Sequence, residues 1–327
     1  MDIGIWPWVG FTVFVFAMLA LDLGVFHRNS HEVSVKEAAI WSVVWISLAL
    51  AFAGGLAYFE SGKVAIDFLT GYVIEKSLSV DNIFVFVLIF SYFQVPAKYQ
   101  HRVLFWGVFG ALVMRAILIF VGAALIERFD WILYIFGGFL IYTGIKMARQ
   151  GETHLDPDTN PVVKFVRKIL PVSSQYHEDH FFTRNAGKLM ATPLFLVLVL
   201  VEASDLVFAV DSIPAIFAVT TDTFLVYTSN VFAILGLRSL YFVLAGVVHK
   251  FYYLKYGLAV ILTFVGVKML IVQFYHFPTY ISLGVILGVL TISVIASLVR
   301  AKRLEGVDTP LDNPVTNQPV IKPDNQI

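Results

Sequence analysis

Cysteine is absent from all 327 residues, which excludes disulfides, thiolate metal sites and a cysteine nucleophile. Charge is scarce as well: Asp, Glu, Lys and Arg together make up 14% of the chain, with 23 acids balancing 23 bases. The zero balance says nothing about partners, because in an apolar chain the information lies in which segments hold the charges. The eight histidines (His27, His31, His101, His154, His177, His180, His249 and His276) all fall in expected loops or at span ends, so none offers an intramembrane imidazole. No nucleotide loop, catalytic triad or nucleic-acid signature is present, and the chain reads as neither an enzyme nor a nucleic-acid binder. What it does have is apolar surface: 58% hydrophobic residues, a mean hydropathy of +0.80, against roughly 45–50% apolar residues in soluble domains.

These numbers predict an all-α polytopic membrane protein. Runs of about 20 apolar residues suffice for one crossing each, and about nine are expected, near residues 6–26, 38–59, 66–93, 103–126, 131–148, 190–218, 224–247, 256–275 and 279–299. Met1-Asp2-Ile3-Gly4 lacks the basic region of a cleaved signal, so the first span is expected to be a permanent helix. Arg28, Lys36, Lys98, Arg102, Lys250, Lys255, Arg300, Lys302 and Arg303 gather on one side, Lys63 and Arg128 on the other. By the positive-inside rule this puts the N-terminus outside and the C-terminus in the cytoplasm of a bacterial cell. The transmembrane domain covers 1–305. Its long loop, about 149–189, contains Pro161 to Leu170, apolar on one side and basic on the other, which suits either a helix on the membrane surface or one packed on the bundle. Residues 306–327, polar and proline-bearing, are expected to form a disordered cytoplasmic tail.

Two acidic stretches lie inside apolar runs. One carries Glu75, Lys76, Ser79, Asp81 and Asn82; the other carries Glu202, Ser204, Asp205, Asp211, Ser212 and Pro214. A carboxylate at bilayer depth costs roughly 2.5–3.5 kcal/mol on insertion scales, so such residues need partners, protons or a bound cation. Glu75, Asp81, Glu202, Asp205 and Asp211 are the candidate metal ligands, with Asn82, Ser204, Ser212 and Asn230 as secondary candidates. Lys76, Arg115 and Arg238 are the candidate counter-ions, and structural ion pairing is the competing account. Asp81 and Asp211 follow Glu75 and Asp205 by six positions, about 240° round an ideal helix, so either the acids point apart or the helices break locally. Pro214, which frees the Val210 carbonyl, offers a cause for a break in the second stretch. An all-oxygen site suits Mg²⁺, Ca²⁺ or Mn²⁺ and disfavours Zn²⁺ or Cu⁺. His177-Glu178-Asp179-His180 is expected to be a solvated polar turn.

The core also repeats. Phe109 to Arg115 resembles Phe232 to Arg238, Gly144-Ile145-Lys146-Met147 resembles Gly266-Val267-Lys268-Met269, and Val80-Asp81-Asn82-Ile83 aligns with Val210-Asp211-Ser212-Ile213, which places Glu75 on Asp205. Two units, about 66–148 and 190–275, each of three helices, must then have opposite topology. Inverted 3+3 repeats of this kind are a transporter architecture with the site between the halves.

The stretches Gly71 to Asn82 and Val201 to Ile216, together with His180-Phe181-Phe182, resemble the TerC family of integral membrane proteins, within the wider LysE-type transporter group, and especially its Alx-type members. The resemblance covers roughly residues 10–300. It implies a protein of the bacterial cytoplasmic (inner) membrane that exports manganese, and it carries the family's acids onto Glu75, Asp81, Glu202, Asp205 and Asp211. Mn²⁺ is then substrate rather than tightly bound cofactor, with Ca²⁺ as alternative cargo, protons as coupling ion and the lipid bilayer as surroundings. A Ca²⁺ or proton transporter using the same acids, and an accessory protein that assists or supplies metal to secreted proteins, remain as alternatives.

Overall fold

The computed structural model describes residues 4–24, 34–129, 131–149, 160–173, 175–185, 188–247, 250–272, 274 and 278–305. The tail 306–327 and the first part of the long loop lie outside the described residues, as do His27, Arg28, His31, His154, His249 and His276. The helices are α1 (Ile5–Gly24), α2 (Val35–Phe59), α3 (Gly62–Tyr92), α4 (Ala97–Arg128), α5 (Ile132–Arg149), α6 (Pro161–Ile169), α7 (Pro193–Phe217), α8 (Thr223–Leu235), α9 (Leu237–Leu244), α10 (Leu254–Leu270) and α11 (Thr279–Glu305). Five of them, α2, α4, α5, α7 and α11, are long and apolar enough to cross a membrane, and α8 with α9 make a sixth span if counted together. This is a multi-pass, essentially all-α protein. Helices α1, α3 and α10 cover the other expected spans.

Local chemistry explains where the helices start. Ser34, Ser61, Asn160 and Asp222 accept hydrogen bonds from the first free N–H groups of α2, α3, α6 and α8. Pro161 and Pro193 open α6 and α7, where a missing N–H costs nothing. The long loop departs from the all-α expectation by forming a small hairpin, β1 (Phe182–Asn185) with β2 (Lys188–Ala191), antiparallel with Phe182 opposite Ala191. In α6 the expected helix is present. Its Val163 and Val166 are buried against α3, α4 and α7, while Phe165 and Ile169 stay exposed.

The two stretches that carry the acids run unbroken. α3 passes straight through Asp81, and α7 continues through Pro214 for almost another turn. The break falls elsewhere, at Gly236, where α8 and α9 meet at 41°. Trp45 of α2 and Lys76 of α3 press on that glycine: a Cβ there would lie 2.7 Å from Lys76 Nζ.

At the centre, α3 packs on α7 and α8, α4 on α7 and α8, and α5 on α10. α3 and α7 run antiparallel, with Gly71 beside Ile216 at one end and Asn82 bonded to Asp205 at the other. α5 and α10 are also antiparallel and nearly in backbone contact. A Cβ on Gly144 would lie 2.7 Å from the Ala259 carbonyl oxygen, and one on Gly266 would lie 2.7 Å from that of Gly137.

Candidate functional site

The middle of the bundle is built on one cation. Arg115 of α4, 1% exposed, grips Asp205 of α7 with two hydrogen bonds, Nε to Oδ2 at 3.0 Å and Nη2 to Oδ1 at 2.9 Å. Its remaining arm, Nη1, donates to Glu75 of α3 and, at 3.3 Å, to Ser212 Oγ. Asn82 Nδ2 donates to Asp205 at 3.2 Å, and Asn230 Nδ2 to Glu75 at 3.0 Å. All six side chains are buried. The planar guanidinium fork matches two carboxylates as an ammonium would not. Two acids from facing helices are thus tied together by a base from a third and screened by two amides.

The network leaves specific oxygens without donors. Asn82 Oδ1, Asn230 Oδ1, Ser79 Oγ and Glu202 Oε2 are buried and have no hydrogen-bond partner. Buried polar atoms are satisfied in the great majority of proteins, so a cluster of orphan acceptors needs a reason. Glu202 lies one turn before Asp205 on α7, close enough for the two acids to repel. Its carboxylate lies against Gly110 of α4, in the place a side chain at residue 110 would take.

Asp81 and Asp211 stand apart from Arg115, as an unbroken helix requires. They are half-buried and close enough to repel one another, with Lys255 within electrostatic reach of Asp81 and Lys146 within reach of Asp211. Thr143 of α5 donates to Asp211 Oδ1 at 3.1 Å. The five acids therefore form two neighbouring groups, Glu75–Glu202–Asp205 and Asp81–Asp211. Among the described residues, only the loop residues Glu178, Asp179 and His180 bring three metal-binding side chains within reach of one point. That loop cluster is exposed, and Asp179 is already paired with Arg102.

The other candidates divide. Asn82, Ser212 and Asn230 join the network, whereas Ser204 Oγ donates to its own helix, to the Leu200 carbonyl at 2.8 Å. Of the counter-ions, Arg115 binds the acids directly. Lys76 sits next to Glu75 in the chain but donates to the Ala233 carbonyl at 3.2 Å, in the last turn of α8, where a cation suits the helix dipole. Arg238 is buried in the first turn of α9, just past the Gly236 bend. Sequence reasoning missed Thr143 and Gly110 as parts of the site, whereas Ser79 was already visible on the helix face of Glu75 and Asn82. Thr143 lies three residues before Lys146 on the same helix face, which was the available signal.

Comparison with known proteins identifies the chain's relatives. The model of the family described as "Integral membrane protein TerC family" matches residues 60–305. An uncharacterized membrane protein of Myxococcus xanthus is 55% identical over 295 residues, covering 90% of this chain and 92% of its own. A protein of Escherichia coli K12 that bears the name membrane-bound redox modulator Alx is 54% identical over 297 residues, covering 88% and 92%. A membrane protein of Rickettsia bellii is 44% identical over 293 residues, covering 90% and 97%. No solved structure matches. A family match across the acidic helices, α4 with its Arg115 and the hairpin alike leaves one conclusion: the chain belongs to the TerC family of integral membrane proteins.

Proposed function

We propose that the protein is a secondary transporter that exports a divalent metal, Mn²⁺ first, from the cytoplasm across the inner membrane, driven by an ion gradient, most simply of protons. It is not an enzyme and holds no resident cofactor. The observation that carries this reading is the set of orphan acceptors around the paired acids: Ser79 Oγ, Asn82 Oδ1, Glu202 Oε2 and Asn230 Oδ1, all oxygens, all buried, beside Glu75 and Asp205. Hard cations such as Mn²⁺ take carboxylate, amide and hydroxyl oxygens. Arg115 is then the resident cation of an empty cycle, and metal competes with it for Glu75 and Asp205. Purely structural pairing gives no reason for four such oxygens to gather on residues that bond or adjoin the same two acids.

The packing supports the inverted 3+3 repeat that such a cycle needs. If Gly144 is equivalent to Gly266, then seven residues earlier Gly137 is equivalent to Ala259. The Gly144–Ala259 and Gly266–Gly137 approaches are therefore the same contact made twice. Reciprocal contacts between antiparallel helices are what a two-fold axis in the membrane plane produces. The reading keeps nine crossings, with the N-terminus outside and the C-terminus in the cytoplasm, from the apolar runs and the distribution of Lys and Arg. Metal binding requires ionised acids, so protons taken up at the same carboxylates on release would couple the two gradients. The Alx relatives are named redox modulators; a thiol–disulfide form of that activity has no residue to use in this cysteine-free chain.

Inside-out vesicles with an acidic lumen test the proposal. The wild-type protein is expected to accumulate Mn²⁺ in preference to Ca²⁺ and Mg²⁺. Asp211→Asn, which leaves the Arg115 network intact, is expected to fall to the level of empty vesicles. Accumulation of Ca²⁺ alone, or acidification without metal, would select the other transporters. No accumulation of any ion by folded protein would leave the accessory role.

A further inference from the structure

A second polar feature lies away from Arg115. The beginning of α3, the end of α7 with the turn that follows it, the end of α10 and the beginning of α11 enclose a cavity of about 440 Å³. Asp67, Lys268, Thr220, Thr221 and Thr279 are among its lining residues, with Lys63 exposed at the rim. Asp67 is 8% exposed and Lys268 7%. The two act on one another electrostatically, yet they form neither a hydrogen bond nor an ion pair, and Asp67 Oδ1 is buried without a hydrogen-bond partner. A structural ion pair offsets its desolvation only by closing to contact with good geometry. An acid and a base that line one cavity without bonding to each other do not.

The position of the cavity gives it a role. Asp67 precedes Glu75 by eight residues on α3, about 12 Å along the helix axis. Between them Gly71 closes the way: a Cβ there would meet Ser229 Oγ at 2.9 Å and Ile216 at 3.1 Å. Among the described residues, the position that corresponds to Asp67 at the opposite end of the bundle is apolar. The repeat that sets Glu75 on Asp205 sets Asp67 on Val197, which is fully buried with Phe90, Leu194 and Val163 of α6 in an apolar cluster. One end of the α3–α7 pair is packed shut by side chains, and the other holds a charged cavity.

We propose that this cavity is a second cation site, in which Asp67 and the neighbouring threonine hydroxyls take a divalent cation and Lys268 is the tethered cation it displaces. Its place on a transport path rests on the export reading; binding at Asp67 does not. The ligand class follows from an unpartnered carboxylate oxygen in a cavity whose other oxygen-bearing lining side chains are threonine hydroxyls, the donor types of a hard metal ion. Lys268 stands to Asp67 as Arg115 stands to Glu75 and Asp205, a resident base that arriving metal must move aside.

The absence of cysteine makes the test direct. Thr221→Cys places a unique thiol on the cavity wall, and its rate of modification by a charged methanethiosulfonate is read on purified full-length protein with and without Mn²⁺. At about twice the dissociation constant, Mn²⁺ is expected to slow labelling about threefold by mass action. Asp67→Asn is expected to abolish this protection and Asp67→Glu to keep it. Lys268→Gln is expected to lower the Mn²⁺ concentration that gives half-protection. Protection that survives Asp67→Asn would overturn the proposal. So would its loss in Lys268→Gln, which would mark a structural pair, or protection by sulfate in place of Mn²⁺, which would mark an anion site at the lysines. Labelling reads binding alone: protection without vesicle transport overturns the export reading only, and transport without protection overturns this site only.

Discussion

Arg115→Met is expected to cost about 3–5 kcal/mol, the penalty for removing one partner from a buried, hydrogen-bonded charge cluster. The loss exceeds that of an ordinary surface pair because nothing else in the network can supply the missing charge. Glu75 and Asp205 are 0% and 2% exposed, and their other donors, Asn230 and Asn82, are neutral amides. The cost is read as a fall in the thermal unfolding midpoint of the detergent-solubilised protein. The origin of the cost is checked by neutralising the acids as well. Arg115→Met combined with Glu75→Gln and Asp205→Asn is expected to recover most of the midpoint, because the triple variant buries no unpaired charge. If the triple variant is as unstable as the single one, packing of the long arginine side chain holds α3, α4 and α7 together, and the electrostatic account fails. Added Mn²⁺ gives a second readout. In Arg115→Met the unpaired acids would gain a cation partner, so the midpoint is expected to rise with Mn²⁺ more steeply than in the wild type.

Much of this site could be read from the chain, for a physical reason. Acids in apolar runs are conspicuous because burial makes them expensive, and helical periodicity alone puts Glu202 and Asp205 on one face and turns Asp81 away from Glu75. What periodicity cannot give is the partner. Lys76 adjoins Glu75 in sequence, yet its long side chain reaches the free carbonyls of α8, and Arg115, forty residues away, takes the acid. Partner choice depends on how three helices pack, which no local pattern encodes. The helix break was misplaced for a related reason. Pro214 is the strongest local breaker, but it lies three residues before the end of α7, where few helical bonds remain to lose. The bend falls instead at Gly236, a position held to glycine by Trp45 and Lys76, which on two other helices occupy the space a side chain would need. The hairpin β1–β2 was missed because four-residue strands are too short to show alternation.

The paired motifs that suggest a repeat yield a second prediction of large effect. Gly144→Val and Gly266→Val are expected to destabilise the protein by similar amounts, about 1–3 kcal/mol each and more if the helices cannot part. At both positions a backbone carbonyl stands 2.7 Å from an added Cβ, and at Gly144 Thr263 Oγ1 is nearer still at 2.5 Å, so α5 and α10 must move apart to admit a substituent even where side chains can turn away. Gly138 and Gly284 provide controls on the same protein. A Cβ at either meets nothing within 4 Å, and alanine there is expected to leave the midpoint unchanged or slightly raised. The comparison of the two valine variants carries the weight. If α5 and α10 are equivalent by a two-fold axis, each glycine guards the same contact, and the two midpoints fall together. The double variant then loses less than the sum, because helices already parted by one valine have made part of the room for the other. Unequal losses that add would make the two approaches independent accidents of packing. They would remove the strongest structural support for an inverted repeat, and the reading of the acids as a site between two halves would then rest on the orphan oxygens alone.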